Sequence, residues 1–209
     1  MDYTEATVFL IDDDEGVRDG LGRLLRSAGW KAETFESAGD FVSRARFEGI
    51  GCIVLDIQMD GMDGVELHEW IRENRITQPV IFLSAHCDVP ISVQAMKSGA
   101  VDVLQKPADA GTLLEAISHA VKRHAEEVRV RRALVEIETR VGKLSARERE
   151  VMNHVIRGRL NKQIASDLNI TEKTVKVHRA RAMGKMHARS VAELVHMCDR
   201  IGLTSQVAA

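Results

Sequence analysis

The sequence predicts an α/β domain built on a parallel sheet, followed by an all-α domain. Three observations carry this. Short apolar runs alternate five times with helical patterns between Thr7 and Val121, the order that yields a parallel sheet covered by helices on both faces. From Leu144 onward every apolar repeat has helical spacing. The charge divides at the same place. Residues 1–121 hold 10 Lys and Arg against 21 Asp and Glu, a net of −11; residues 122–209 hold 19 against 10, a net of +9, within an overall −2. An acidic half joined to a basic half implies two domains with different partners, the basic one suited to a polyanion.

Composition removes several classes. The chain has 44% hydrophobic and 29% charged residues, ordinary for a globular protein. No apolar run approaches the length that spans a bilayer, and residues 1–5 are polar and acidic, unlike a secretory signal. Cys52, Cys87 and Cys198 are odd in number and far apart, which argues against a disulfide framework and suits a reducing cytoplasm. The expectation is a cytoplasmic protein with no membrane partner.

The elements come in a regular order. Residues 7–11 are apolar and strand-like and run into Asp12, Asp13 and Asp14. Val17, Leu21, Leu24, Leu25 and Ala28 then recur at helical spacing, and Gly29 closes that helix. Residues 31–35 form a short strand. Ser37 caps a helix carrying Phe41, Val42 and Ala45. Residues 52–55 read as a strand buried on both faces, stopping at Asp56. Val65, Leu67, Trp70 and Ile71 mark a third helix. Residues 79–83 are a strand ending at Ser84. A helix beginning near Asp88 contains Ile91, Ala95 and Met96 and stops at Gly99. Residues 102–104 are the fifth strand, before Lys106-Pro107, and the helix from Asp109 carries Leu113, Leu114, Ile117 and Val121. Right-handed crossovers leave few topologies, and the flavodoxin-like strand order 2-1-3-4-5 fits this chain, with a site at its switch point.

Residues 122–143 are dense in charge and free of Pro, with no Gly before Gly142, and read as a helical linker continuing the fifth helix. Val121, Ala125 and Val128, then Leu134, Ile137, Val141 and Leu144, make an apolar stripe. A short coiled-coil seam and a solvated helix with one packed face both fit it. Beyond the linker, Ser145 and Glu148 have capping-box spacing, and Val151, Met152, Val155 and Ile156 face inward up to Gly158. Asn161 opens a short helix with Ile164, Ala165 and Leu168, and the turn Asn169-Ile170 comes next. Thr171 caps a longer helix with Val175, His178, Ala182, Met183 and Met186 inside. Ser190 caps the last, with Val191, Leu194, Val195, Cys198 and Ile201, before a frayed tail at 205–209. The domains are therefore 1–121, a linker at 122–143, and a four-helix helix-turn-helix domain at 144–204.

Chemistry concentrates at the strand ends. In a parallel sheet the residues just past the strands share one edge, so Asp12, Asp13, Asp56, Ser84 and Lys106 converge there. Crowded carboxylates call for a hard cation, and Mg²⁺ suits a few carboxylates, water and a phosphate. A Lys and a hydroxyl opposite them suit the oxygens of a phosphoryl group. Asp56 is then the nucleophile, forming an aspartyl phosphate. In the basic half, the outer face of the helix after Thr171 presents Lys173, Thr174, Lys176, Val177, Arg179, Ala180 and Arg181. Its Lys and Arg suit phosphates, while Lys176, Val177 and Ala180 share one stripe aimed at base edges. Lys162, at the start of the preceding helix, suits the backbone of double-stranded DNA.

Ile11-Asp12-Asp13, Leu55-Asp56 with Met59 and Gly64, Ser84-Ala85, and Lys106-Pro107 together resemble the receiver domain of two-component response regulators. The resemblance implies that Asp13, Asp56 and the Gln58 carbonyl bind Mg²⁺ and that Asp12 acts through water. It also implies that Ser84 and Lys106 contact the phosphoryl group, that Lys106-Pro107 is cis, and that a phosphohistidine on a sensor histidine kinase is the donor. Leu144-Ser145, Arg147-Glu148, Gly158, Asn161-Lys162, Ile164-Ala165 and residues 174–178 resemble the LuxR-type DNA-binding domain. The whole chain is similar to FixJ/NarL-type response regulators. That likeness implies a regulator rather than an enzyme, which dimerises when phosphorylated, binds promoter DNA and meets RNA polymerase.

Three positions depart from the receiver pattern. Asp60 stands where Pro is usual, Val103 where the switch position is usually aromatic, and Ala108 where Phe often comes after Lys-Pro. With no aromatic at Val103, signalling is expected to rely on the loop after Ser84 and the helix at 88–98. Two other readings set the alternatives: an aspartyl-phosphate hydrolase of the haloacid dehalogenase kind, with its nucleophile at Asp12, and a DNA-binding regulator independent of phosphorylation. Cys87 reads as a redox handle or as an incidental small residue. His178, lacking paired metal spacing, reads as a packing or phosphate-contact residue.

Overall fold

The computed structural model describes residues 6–44, 49–85 and 95–206. The chain divides into two compact units, Met1–Val128 and Arg129–Ala209. In the first, strands β1 (Thr7–Ile11), β2 (Lys31–Phe35), β3 (Gly51–Asp56), β4 (Val80–Ser84) and β5 (Asp102–Gln105) form one parallel sheet in the order β2-β1-β3-β4-β5. Helices α1 (Glu15–Ser27), α2 (Ala38–Ser43), α3 (Gly64–Glu73) and α4 (Ala110–Gly142) complete the described elements of this part. Of the helix expected from Asp88, residues 95–97 are described and helical. Ala45, His86, Cys87, Asp88 and Ile91 lie outside the described residues.

Alternation along each strand builds two cores. Phe9, Ile11, Ile53, Leu55 and Phe82 face one side and meet Phe41, Leu67 and Ile71. Val8, Leu10, Val54, Ile81 and Leu83 face the other and meet Leu25, Leu113 and Ile117. Every residue of β3 and β4 is buried, as a central strand covered on both faces requires. Each Val, Leu, Ile and Phe side chain among them contributes roughly 1.5–3 kcal/mol by leaving water. The register sets Ile11 beside Leu55, so Asp12 and Asp56 emerge from neighbouring strands at the same level. β3 runs one residue further at each end than its apolar run, and Asp56 is its last residue.

α4 runs unbroken for 33 residues. Packing of the first unit continues along it to His124, which is 1% exposed. The His124 Nδ1 accepts the Gly51 N–H at 3.2 Å, and its Nε2 lies 3.1 Å from Thr77 Oγ1. Further on, Ile137 and Val141 are buried in the core of the second unit, whereas Val130 and Val135 are exposed. The apolar stripe is thus taken up mainly near the two ends of the linker stretch.

The second unit holds α5 (Ala146–Ile156), α6 (Asn161–Asp167), α7 (Glu172–Met186), α8 (Val191–Arg200) and α9 (Leu203–Gln206). Val151, Met152 and Val155 of α5 share a core with Ile164, Val175, Ala182, Met186 and Leu194. Ser145, Thr171 and Ser190 each accept the backbone N–H three residues on, capping α5, α7 and α8. The start of the tail expected to fray is instead the short α9. Gly202, at φ 70°, turns the chain, and Thr204 Oγ1 donates to Asp199 Oδ1 at 2.7 Å. No helix among the described residues is long and apolar enough to cross a membrane.

One buried carboxylate joins the first turn of α5 to the last turn of α7. Glu148 accepts the Ser145 N–H at 2.8 Å and lies 2.6 Å from Lys185 Nζ. Lys185 also donates to the Lys143 carbonyl at 3.1 Å. The Lys185 hydrogen bond first, and the Ser145 N–H second, pull the Glu148 carboxyl from its usual 4.5 down to about 2. A carboxyl depressed by folding stabilises the fold above its unfolded value and loses that contribution as pH falls. The stability from Glu148 is therefore complete above about pH 4.5 and disappears on acidification to about pH 2. Glu148→Gln should lower the protection of α5 and α7 amides against hydrogen exchange at pH 6. The difference from the parent should narrow steadily through that acid window.

Candidate functional site

The strand-end acids have distinct local roles. Asp14 is the N-cap of α1, accepting the Val17 N–H at 2.9 Å, so the third acid of the run is occupied in starting a helix. Asp12 is fully buried, and its Oδ1 accepts the Asp14 N–H at 3.1 Å. Asp13 is exposed. Arg18 Nη1 donates to the carbonyls of Asp12 (2.8 Å) and Asp13 (3.1 Å), fixing the turn from beneath. Sequence reasoning passed over Arg18, whose only signal is a basic residue one turn into a helix that comes after three acids.

Asp56 ends β3, 4% exposed, with Oδ1 accepting the Gln58 N–H at 3.2 Å. Ligand atoms of Asp12, Asp13 and Asp56 all lie within 4.8 Å of one another. Lys106 lies among them, its Nζ 2.7 Å from Asp12 Oδ2 and 2.8 Å from Asp56 Oδ2. Its backbone is held as well: the Lys106 N–H donates to the Ser84 carbonyl at 2.8 Å, and the Lys106-Pro107 bond is cis. Burial pushes the Asp12 carboxyl above 3.8 despite the pull of Lys106. Burial alone would lower the Lys106 ammonium, but its bonds to Asp12 and Asp56 outweigh it and leave the group above 10.5. The pocket thus holds one firmly protonated cation against a cluster of hard oxygen donors, the donor set that suits Mg²⁺.

A cleft of about 550 Å³ opens beside the acids, lined by Asp13, Gln58, Met59, Asp60, Asp63 and Val65. The loop beneath it is shaped by its own backbone. Asp63 and Glu66 form a reciprocal capping box at the start of α3, and the Gly64 N–H donates to the Ile57 carbonyl at 2.9 Å. Ser84, 2% exposed, closes the end of β4. Val103 is partly buried against the core that contains Phe82, and its N–H donates to Asp102 Oδ1 at 2.9 Å.

In the second unit α6, a turn with Asn169 at φ 50°, and α7 form a helix-turn-helix. Lys162, Lys173, Lys176, Val177, Ala180 and Arg181 are exposed, Val177 at 43%. Thr174 is half-buried and lies 2.8 Å from Thr171 Oγ1 through its own hydroxyl. Arg179 differs from a free outer-face residue: it is half-buried and donates to Asn161 Oδ1 at 2.9 Å, tying α7 to the start of α6. His178 is half-buried, with its Nδ1 enclosed.

Comparison with known proteins matches both halves. Residues 8–118 match the response regulator receiver domain, and residues 142–198 match the luxR family of bacterial regulatory proteins. The transcriptional regulatory protein FixJ of Bradyrhizobium diazoefficiens is 38% identical over 200 residues, covering 96% of this chain and 98% of that protein. FixJ of Azorhizobium caulinodans is 41% identical over 196 residues, covering 94% and 93%. Among solved structures, the response regulator StyR superposes with a TM-score of 0.88 at 45% identity, covering 93% of this chain and 98% of that chain. Full-length FixJ from B. japonicum gives 0.59 at 38% identity, covering 95% and 98%.

The close approach at Gly64 provides a direct check on the pocket. A Cβ there would lie 2.1 Å from the Asp56 carbonyl oxygen and 2.9 Å from Ile57 Cα. Gly64→Ala should therefore force the backbone under Asp56 to move and cost about 1–3 kcal/mol. Both tryptophans, Trp30 and Trp70, belong to the first unit. A urea titration monitored by their fluorescence should show the midpoint fall, and an unchanged midpoint would contradict this packing.

Proposed function

This chain belongs to the response regulators that join a receiver domain to a LuxR-family domain and regulate transcription, and from that membership we propose that phosphorylation of Asp56 is its switch. The observation that carries the proposal is Lys106 Nζ seated 2.7 Å from Asp12 and 2.8 Å from Asp56 at the carboxyl edge of the sheet. An Asp56 oxygen attacks the phosphorus of a phosphohistidine on a sensor histidine kinase. The new O–P bond forms as the P–N bond breaks, and the imidazole departs. Lys106 counters the negative charge of the incoming group, and the Ser84 hydroxyl contacts one of its oxygens. Asp13, Asp56 and the Gln58 carbonyl would hold Mg²⁺, with Asp12 acting through water; when bound, the ion would offset the repulsion between carboxylates and phosphoryl oxygens. The luxR-family match at residues 142–198 disfavours the hydrolase alternative, which needs Asp12 as its nucleophile and has no use for a helix-turn-helix.

The output side of the proposal uses residues 144–204, with 1–121 as the receiver and 122–143 as the linker. Phosphorylated chains pair, and each α7 enters a major groove of double-stranded promoter DNA in the cytoplasm, where RNA polymerase is the final partner. Lys162, Lys173 and Arg181 contact phosphates, with Arg179 close by on its Asn161 tether. Lys176, Val177 and Ala180 face base edges, and Thr174 supports the start of the helix. Val103 occupies the switch position without an aromatic ring, so the signal travels through the loop after Ser84 and the helix at 88–98, of which residues 86–94 lie outside the described residues.

Experiments on the phosphorylation side and on the DNA side test this. Treatment with acetyl phosphate, with mapping of the modified residue, should label Asp56 and leave Asp56→Asn unlabelled. Label on Asp12 with repeated turnover of phosphate esters would overturn the assignment, and a full promoter response from Asp56→Asn would remove phosphorylation from the switch. On the DNA side, Lys173→Ala should weaken binding to all sequences alike and reduce the slope of log K against log salt by about 1. Lys176→Ala should instead redistribute the sites found by genome-wide footprinting with beryllofluoride.

A further inference from the structure

The three clustered carboxylates are not held equally. Asp12 is fixed by the Asp14 N–H and Lys106, and Asp56 by the Gln58 N–H and Lys106. Asp13 is exposed, and among the described residues its carboxylate has one partner: the backbone N–H of Asp60, which donates to Oδ2 at 3.1 Å. That bond reaches across 47 residues of sequence and joins the turn after β1 to the loop after β3. An exposed carboxylate without a partner samples several rotamers, and ordering it opposes ligand binding.

We propose that the backbone N–H of Asp60, rather than its carboxylate, is a positioning group for Asp13, holding Oδ2 so that Oδ1 is left for a divalent cation. This rests on the reading of the acidic pocket as a Mg²⁺ site. The donor is a property of the residue type at this position: a proline has no N–H to give. The loop presents that N–H from a constrained frame. Gly61 lies at φ 82°, Asp63 caps α3, and the Gly64 N–H closes back on the Ile57 carbonyl. A peptide N–H also places its partial positive end against one oxygen without competing for the other. The chain therefore fixes its exposed ligand by backbone, while residue 60 itself lines the cleft.

Comparison of Asp60→Ala with Asp60→Pro in the full chain separates the two groups of residue 60. Alanine removes the carboxylate and keeps the N–H, while proline removes both. Calorimetric titration with Mg²⁺ should find the proline variant binding about five-fold more weakly than the alanine variant, the effect of one ordinary hydrogen bond. Equal affinities in the two variants, with normal binding by the parent, would overturn the positioning role alone. Failure of the parent itself to bind Mg²⁺ would instead overturn the cation reading of the pocket. Amide hydrogen exchange supplies a second test that needs neither metal nor a folded proline variant. Exchange of the Asp60 amide should quicken about five-fold in Asp13→Ala and stay near the parental rate when Asp14→Ala removes the neighbouring cap. An Asp60 amide indifferent to Asp13→Ala would overturn the proposal.

Discussion

A single ammonium between two carboxylates organises the first unit. Asp12 and Asp56 leave adjacent strands at one level, and both are buried. Two carboxylates so close together repel, and neither has water enough to screen the other. Lys106 resolves this by bonding both. Its place depends on the adjacent strand β4, since its backbone N–H is anchored to the Ser84 carbonyl. The strand order β2-β1-β3-β4-β5 brings three separate strand ends to one point. The arrangement is better suited to responsiveness than to stability. A buried charge cluster gains little over apolar packing, yet any change in its charge is strongly felt, and a phosphoryl group is such a change.

The second unit uses the same physics for a different end. Its only deeply buried carboxylate among the described residues, Glu148, closes the α5 cap and receives Lys185 from the last turn of α7. Arg140 donates from the end of α4 to the Met186 carbonyl at 3.1 Å, and Lys185 returns a bond to the Lys143 carbonyl. The last turn of the long helix and the last turn of α7 therefore satisfy each other's orphan carbonyls. Basic residues near α7 consequently have two occupations. Some tie the unit together, and those left exposed are available to a polyanion.

Much of this was legible in the residues. Periodicity and turn residues located the strands to within a residue or two, because central strands of a parallel sheet are continuous apolar runs. The caps at Ser37, Ser145, Thr171 and Ser190 were readable because capping is local. Long-range pairing was not. Nothing in the linear order says that Lys106 bonds Asp12 and Asp56 before any phosphoryl group arrives, or that Arg179 is tethered to Asn161. Asp14 continues the acidic run of Asp12 and Asp13, but a carboxylate three residues before an N–H is also a helix cap, and that is the role it takes. The Asp60 N–H was hidden for another reason: it belongs to the backbone, which residue identity discloses only when that residue is proline.

The buried imidazole on α4 has a consequence for how the chain tolerates changes of length. His124 receives the Gly51 N–H and faces Thr77, so it sits at one phase of the helix. Each residue inserted into an α-helix rotates the downstream side chains by about 100° and advances them by about 1.5 Å. A single insertion between Ala110 and His124 swings the imidazole away from Gly51 and exchanges a buried polar partner for a helix face of the wrong kind. An insertion after Val128 leaves that phase untouched. The part of α4 upstream of His124 is therefore locked in length, and a change of helix length leaves this contact intact only in the stretch beyond it.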